Sequence, residues 1–167
     1  MAKKQPRFGN TDIPAHRTAN EIGEIVHKYG AKMFSVTFAD KTREPASVYF
    51  LMDVPDVGEV PVSLTAQVDG IYKRLTEDRY YGYDEDRMRT QATRIAWRQI
   101  KAYVEMQLEM VQNKLRPFHE AFMADVMIHV GEGEWKRLGA AYMESKGNLR
   151  PALPPGRVVD ADVEIVD

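Results

Sequence analysis

The feature that most constrains the fold is a long stretch of helical periodicity, which runs from Asp84 to Asn113. The spacing of its apolar residues predicts a single helix of about eight turns. The residues along one broad side are Ala92, Ala96, Ile100, Tyr103, Val104, Val111 and Leu115. Met88, Ile95, Met106 and Met110 widen this side to an arc of roughly 200°, more than a surface helix normally buries against one neighbour. The helix is therefore predicted to be the spine of the domain or to serve an oligomer interface as well, and we predict a homo-oligomer.

Three strand-like runs precede this helix: AKMFSVTFA, ASVYFLMDV and EVPVSLTA. Apolar and polar residues alternate in them, which is typical of half-buried strands, and the polar DKTREP between the first two has the length of a hairpin connection. Pro61 has no N–H to donate to a neighbouring strand, which favours an edge strand or the start of a strand. The runs therefore predict a small antiparallel sheet.

Shorter helical patterns flank the sheet and the long helix. Thr18 and Glu21 have the spacing of a capping box, which predicts a helix from about Ala19 to Tyr29. A second short helix is predicted around Val68 to Leu75. Pro117 suits the first turn of a helix in PFHEAFMADVMI, and EWKRLGAAYMES favours another. The predicted fold class is α+β, with about three antiparallel strands packed on one long helix and with flanking short helices.

The two ends of the chain differ in charge from the middle. Residues 1–17 are predicted to be a basic tail, residues 18–147 a single α+β domain, and residues 148–167 a proline-containing linker with an acidic tail. The tail charges are Lys3, Lys4 and Arg7 at one end and Asp160, Asp162, Glu164 and Asp167 at the other. The alternation in VVDADVEIVD fits either a strand or a disordered acidic tail. Both ends are interpreted as solvated tails that aid solubility.

Composition excludes several classes of site. The chain has no cysteine, which excludes disulfides, thiolate nucleophiles, zinc ribbons and iron–sulfur clusters. A net charge of −2 and a pI near 6.1 lack the basic excess of a dedicated duplex-DNA binder. No apolar run suits a secretory signal or a membrane span. We therefore expect a cytoplasmic protein.

The sequence offers no pattern that supports catalysis. The four histidines form no zinc-protease motif, and no serine stands in a nucleophile-elbow context. Asp125 has the spacing to orient His129, but a surface or locally hydrogen-bonded histidine is the favoured interpretation. Glycine-rich phosphate loops are absent. We predict a protein that is not an enzyme, with no catalytic residues, no metal and no cofactor.

The segment YYGYDEDR raises two separate questions. Its acids, Asp84, Glu85 and Asp86, stand where a helix N-terminus favours negative charge, so we predict that Asp84 caps the long helix rather than binding a metal. Its aromatic residues are candidates for a binding loop, because exposed rings stack on bases or fill a partner's pocket. These candidates are Tyr80, Tyr81 and Tyr83.

A basic stripe is the main candidate binding surface. Arg87, Arg94, Arg98 and Lys101 share one face of the long helix, and Trp97 stands beside them. Positive charge in the N-terminal half of a helix opposes the macrodipole, so stability alone does not call for it. Such a stripe suits phosphate or acidic-partner recognition. The alternative is a solvated face, on which Lys101 pairs with Glu105.

The stretch RIAWRQIKAYVEMQLEMVQNKLRPFHEAFM resembles a group of small, mostly uncharacterised proteins encoded by tailed bacteriophages and prophages. The residues that carry the resemblance are Trp97, Arg98, Leu108, Glu109, Val111, Phe118, Glu120 and Phe122. The preceding LMDVPDV, a strand ending in a proline-containing turn, is similar too. The resemblance is best from Arg94 to Phe122 and implies a phage gene product that works in a bacterial cytoplasm. It implies no activity and no catalytic residue.

Three functions are therefore compatible with the sequence. The first is a non-catalytic phage accessory protein that binds a host or phage protein, for instance to modulate a host enzyme or defence system. The second is a nucleic-acid-binding protein that uses the basic stripe and the tyrosine loop. The third is sequestration of a small nucleotide-like ligand, whose phosphates the same arginines would hold. The near-neutral net charge favours the first.

Overall fold

The computed structural model describes residues 6–77, 84–130 and 133–145. Its elements in chain order are α1 (Ala15–Lys28), β1 (Ala31–Phe38), β2 (Pro45–Val54), β3 (Gly58–Thr65), α2 (Val68–Glu77), α3 (Glu85–Gln112), α4 (Phe118–Ala121), a 3-10 turn (Met123–Asp125), β4 (Met127–Val130), β5 (Glu134–Arg137) and α5 (Leu138–Glu144). The predicted α+β class is confirmed. The tyrosine loop with Tyr80, Tyr81 and Tyr83, and the linker and acidic tail predicted for 148–167, lie outside the described residues.

The three predicted strands form one antiparallel sheet in the order β1-β2-β3. Phe50 of β2 lies between Phe34 of β1 and Val62 of β3 on the core face. Tyr49, one residue earlier, lies between Ser35 and Ser63 on the opposite face. Because side chains alternate across a strand, the apolar alternation in the sequence places one apolar face against the helices. Pro61 lies in β3, an edge strand, as the sequence indicated.

Helices α1 and α3 contact each other, and side chains from both join the core face of the sheet in one hydrophobic cluster. Ile22 and Val26 of α1 and Val104 of α3 are fully buried there. Phe122, just after α4, is also fully buried, and its ring packs edge-on against Phe50 with centroids 5.8 Å apart. The molecule therefore has a helical layer on one face of the sheet.

Part of the wide apolar arc of α3 is covered within the described residues. Helices α1, α2 and α4 contact α3, and β2 meets it through the hydrogen bond from Trp97 to Pro45, whereas Leu115 at the end of the arc is 70% exposed. Two methionines that widen the arc differ in exposure: Met88 is only 7% exposed, whereas Met106 is 54% exposed. An arc too wide for one neighbour is thus shared among several elements, so it does not by itself require a second copy of the chain.

Helix α1 begins earlier than the capping box predicts. Its first helical residue is Ala15, preceded by Pro14, and Thr18 lies inside the helix. The Thr18 hydroxyl donates to the Pro14 carbonyl at 3.5 Å, and Thr18 is fully buried. The predicted capping box is therefore wrong, because burial against the rest of the fold draws a hydroxyl-bearing residue into the first turn of the helix.

The segment after α3 contains less helix than predicted. The helix expected over PFHEAFMADVMI ends at Ala121, and its last residues belong to β4. Likewise EWKRLGAAYMES begins as β5, which pairs with β4, and becomes helical only at Leu138. Val126 bridges Val62 of β3, so pairing with distant strands decides the conformation of these short apolar runs.

Residues 6–14 lie along α3 and differ from a free tail. The Gln91 side-chain amide donates to the Gly9 carbonyl at 3.0 Å and to the Thr11 carbonyl at 2.8 Å. The Gln99 amide reaches the Arg7 carbonyl at 3.4 Å. The predicted basic tail over 1–17 is therefore packed from residue 6, and its last residues form the start of α1.

The acidic start of α3 is a helix cap, as predicted. Asp84 Oδ1 accepts from the backbone N–H of Asp86 at 3.0 Å and of Arg87 at 3.3 Å. We expect Asp84→Ala to lower the free energy of unfolding by about 1 kcal/mol, since two backbone donors lose their acceptor. Urea unfolding measures this loss. Asp86→Ala is the control, because it removes a charge from the same turn without removing the cap and should cost only a few tenths of a kcal/mol.

Candidate functional site

The basic stripe is largely engaged within the chain. Trp97 is fully buried, and its indole Nε1 donates to the Pro45 carbonyl at 3.0 Å, so it is a core residue rather than part of an exposed surface. Arg98 Nη1 lies 2.9 Å and Lys101 Nζ 3.1 Å from Glu21 Oε2 of α1. Lys101 also lies 3.5 Å from Glu105 Oε1, the pair expected for a solvated face. The hydrogen bond from Lys101 and the nearby Arg98 charge lower the pKa of Glu21 against the effect of burial.

The other two arginines of the stripe remain available. Arg87 and Arg94 line a cleft of about 690 Å³ between α3 and residues 9–12. Neither side chain has an ion-pair partner within the part of the chain that the structure describes. Asp12 lines the same cleft, so its charge opposes binding of an anion there. The stripe therefore divides into Arg98 and Lys101, which pair with Glu21, and Arg87 and Arg94, of which Arg87 is exposed and Arg94 half-buried.

A larger cleft of about 910 Å³ opens at the ends of α1 and α3 and beside the turn between β2 and β3. Its floor is apolar and includes Met52, Leu108 and Phe118, each less than 5% exposed. Tyr29, Val54 and Val111, which pack against the core, extend the floor. A concave apolar surface with a few polar groups at its edge is the usual form of a binding site.

Four basic or titratable side chains surround this floor. They are Lys28, Lys114, Arg116 and His119, all exposed. Across residues 6–77, 84–130 and 133–145, none of them pairs with an acid. The acid in the lining is Asp53, whose Oδ2 lies 3.0 Å from Lys32 Nζ. The hydrogen bonds that the Lys32 ammonium donates to Asp53 and Glu59 raise the pKa of Lys32. The edge of the cleft is therefore positively charged. We name the side chains of Lys28, Lys114 and Arg116 the cationic rim.

Local backbone geometry places the rim. Gly30 has φ +96° and turns the chain from α1 into β1, which leaves Lys28 at the end of its helix. Lys114 has φ +57° and lies two residues after the end of α3, where the Leu115 N–H donates to the Met110 carbonyl at 2.9 Å. Cations at helix C-termini offset the negative end of the macrodipole. This explains the sign of Lys28 and Lys114 but leaves Arg116 and His119, which follow the helix, unexplained.

Sequence reasoning missed this site because its residues come from separate elements. Lys28, Met52 and Phe118 share no period or motif, and only the fold brings them together. In the sequence, His119 is one of four histidines and belongs to no motif that would indicate a binding site. The sequence feature that could have indicated the site is the basic, proline-containing stretch KLRPFHE. It lies near the C-terminal end of the stretch that carries the resemblance.

Asp125 pairs with Tyr103 of α3 rather than with His129. Its carboxylate accepts from the Tyr103 hydroxyl at 2.9 Å and lies 3.8 Å from Arg137 Nη1. His129 instead packs its ring edge-on against Trp135, with centroids 5.2 Å apart. Burial raises the pKa of Asp125, and burial together with the Asp125 charge raises the pKa of Tyr103. Asp125 therefore pairs with a hydroxyl of α3, and the spacing that would let it orient His129 is not used.

Comparisons with protein-family models, with curated proteins and with solved structures found no match. Among the helices of the described residues, none has both the length and the apolar character needed to cross a bilayer. Within the same residues, no three metal-ligating side chains come together.

Proposed function

We propose that this protein is a non-catalytic phage accessory protein that binds a host or phage protein in the bacterial cytoplasm, through the cleft at the ends of α1 and α3. The observation that carries this proposal is the combination of an apolar floor with a cationic rim that has no acidic partner in the described residues. The phage context comes from the resemblance over Arg94 to Phe122.

The floor supplies the main driving force for binding. Met52, Leu108 and Phe118 are held by the core, so the cleft is preformed and loses little conformational entropy when it is filled. A volume of about 910 Å³ has room for several large side chains, and anchors that fill such pockets contribute most of the binding energy of protein interfaces. The partner therefore presents aromatic or aliphatic side chains on a protruding segment.

The rim selects the charge of that segment. Lys28, Lys114 and Arg116 are exposed cations at the edge of an apolar floor. Complementary charge across an interface increases the association rate and rejects basic partners. The segment that fits is acidic beside its apolar anchors. When the cleft binds such a segment on a host enzyme or defence protein, it covers that segment and would thereby modulate the host protein.

A small nucleotide-like ligand is the second candidate, and the same cleft favours it. The volume lies within the range of small-molecule sites, and the lining includes a guanidinium, from Arg116, and the aromatic rings of Tyr29 and Phe118. The nucleic-acid alternative has less support, because Trp97 is buried and Arg98 and Lys101 pair with Glu21. Mass spectrometry of ligand released from the purified protein tests the small-molecule alternative.

The test of the proposed function reverses charge at the rim. We expect Lys114→Glu with Arg116→Glu to weaken binding of the partner at least tenfold, about 1.4 kcal/mol. The control is Lys41→Glu with Lys73→Glu, which changes the net charge equally at exposed positions outside the cleft. Proteins from infected cells that bind the wild type and the control, but not the rim variant, are identified and then titrated in purified form.

Two results would contradict the proposal. One is equal retention of every partner by the folded rim variant and by the control. The other is release of a stoichiometric small molecule from the wild type, with no protein partner that distinguishes the variants. A partner that is nucleic acid would instead show a steep log–log dependence of affinity on salt, whereas a protein segment shows a shallow one.

A further inference from the structure

Strand β1 forms one edge of the sheet. It pairs with β2 along its inner side, and within the described part of the chain no strand pairs with its outer side. The strand is eight residues long, AKMFSVTF. A free strand edge presents unpaired N–H and C=O groups, which are a template for pairing with another strand.

The two edges of the sheet differ in how they are protected. The β3 edge carries Pro61, and Val126 bridges Val62 there. Proline and coverage by another segment both discourage pairing at an edge. Within the described residues the β1 edge has neither proline nor a covering segment. Its register irregularities, which also discourage pairing, lie at its two ends, between Ala31 and Met33 and between Thr37 and Phe38, and leave the stretch from Met33 to Thr37 regular.

The one charge on β1 does not protect it. Lys32 lies at an irregularity between Ala31 and Met33, and its Nζ lies 3.0 Å from Asp53 and 3.1 Å from Glu59. These acids belong to β2 and β3, so the ammonium is drawn across the sheet and away from the free edge. The remaining residues are uncharged, and Met33 and Phe38 are 46% and 56% exposed.

We propose that β1 pairs in antiparallel fashion with β1 of a second copy of this chain, which joins two sheets into one of six strands. A two-fold axis at Ser35 places Ser35 opposite its equivalent, Phe34 opposite Val36 of the second copy, and Met33 opposite Thr37. Phe34 and Val36 lie on the core face and are only partly buried, so this register covers apolar surface with apolar surface.

Charge is compatible with this pairing. The two Lys32 residues lie toward opposite ends of the paired strands, and each is balanced by its own Asp53 and Glu59. An interface across a two-fold axis uses the same surface on both copies and closes on itself. No residue of β1 lines the cleft at the ends of α1 and α3. The dimer therefore leaves two cleft sites open and stands independently of the proposed function.

The absence of native cysteine permits a direct test with single spin labels. Ser35→Cys places a label on the proposed axis, and Ser63→Cys is the matched control on the same sheet face, two strands away. In the dimer, the two copies of residue 35 lie about 5 Å apart in backbone distance and the two copies of residue 63 about 24 Å apart, five strand spacings. We expect strong dipolar broadening from the first label and weak coupling from the second.

A charge placed on the axis gives a second test. Ser35→Lys should weaken dimerisation at least tenfold, because two like charges then stand opposite each other. Ser63→Lys should leave it unchanged. Light scattering gives the mass, and circular dichroism confirms that both variants fold. A monomeric wild type at high micromolar concentration overturns the proposal, as does a dimer that both lysine variants dissociate equally or that shows no broadening at residue 35.

Discussion

Replacing Trp97 with alanine should lower the free energy of unfolding by about 3–5 kcal/mol. The side chain is fully buried, and its Nε1 donates to the Pro45 carbonyl at 3.0 Å. The substitution leaves a cavity in the core cluster and a buried carbonyl without its donor, and both effects destabilise the fold. Guanidinium unfolding monitored by circular dichroism gives the value.

The second tryptophan is a matched control. Trp135 is 57% exposed, so Trp135→Ala should cost less than about 1 kcal/mol. Equal stability of the two variants would contradict the placement of Trp97 in the core. Trp97→Phe keeps most of the volume, and loss of partner binding in that variant without unfolding would restore Trp97 to the binding surface predicted from the sequence.

Removal of the Glu21 carboxylate should destabilise the fold by about 1.5–3 kcal/mol, the usual range for hydrogen bonds to charged groups. In Glu21→Ala, Arg98 and Lys101 lose the acceptor that lies 2.9 Å and 3.1 Å away, while their side chains stay only 20% and 18% exposed. Glu24→Ala is the control, because Glu24 is an exposed acid of the same helix and should change stability by a few tenths of a kcal/mol. Equal losses would mean that Glu21 contributes only as a surface charge.

Acid titration tests the same ion pair. The pKa of Glu21 is lowered in the folded protein, so its stabilisation is present above the unfolded value of about 4.3 and is lost as the pH falls below it. The raised pKa of Asp125 acts in the opposite sense, since ionisation of that carboxyl weakens the fold as the pH rises. Because Asp125 is present in both proteins, the difference in stability between wild type and Glu21→Gln should isolate Glu21. That difference should shrink as the pH falls from 6 to 3.

Local patterns predicted most of the architecture. The α3 helix begins after Asp84 and ends before Asn113, as the periodicity and the acidic cap indicated. The three strands lie where the alternation placed them. These elements are long or strongly periodic, so local signals are sufficient for them. Thr18 and the residues around Val126 were misassigned because burial and pairing with distant strands decide their conformation.

The candidate sites were less predictable than the fold. Sequence spacing placed Arg98 and Lys101 on one face of α3, but Glu21, which pairs with both, lies 77 residues before Arg98. The rim and the floor of the cleft come from α1, β2, α3, α4 and the segment between α3 and α4, which no motif connects. Trp97 looked like a surface aromatic because it adjoins arginines in sequence, whereas its position on the helix directs it toward Pro45.

The packing of residues 6–28 on α3 has a consequence for biosynthesis. Gln91 and the Gly9 carbonyl that it holds are 82 residues apart, and Ile22 and Val26 share a core cluster with Val104 and Leu108. At a translation rate of about 5–20 residues per second, α1 is synthesised roughly 4–16 s before the residues of α3 that it contacts. During that interval Ile22 and Val26 lack the α3 part of their core cluster, so the side of α1 that faces α3 is exposed to solvent. Ribosome-associated chaperones are therefore expected to bind this segment, and translational pausing before residue 112 should increase aggregation of the unfinished chain.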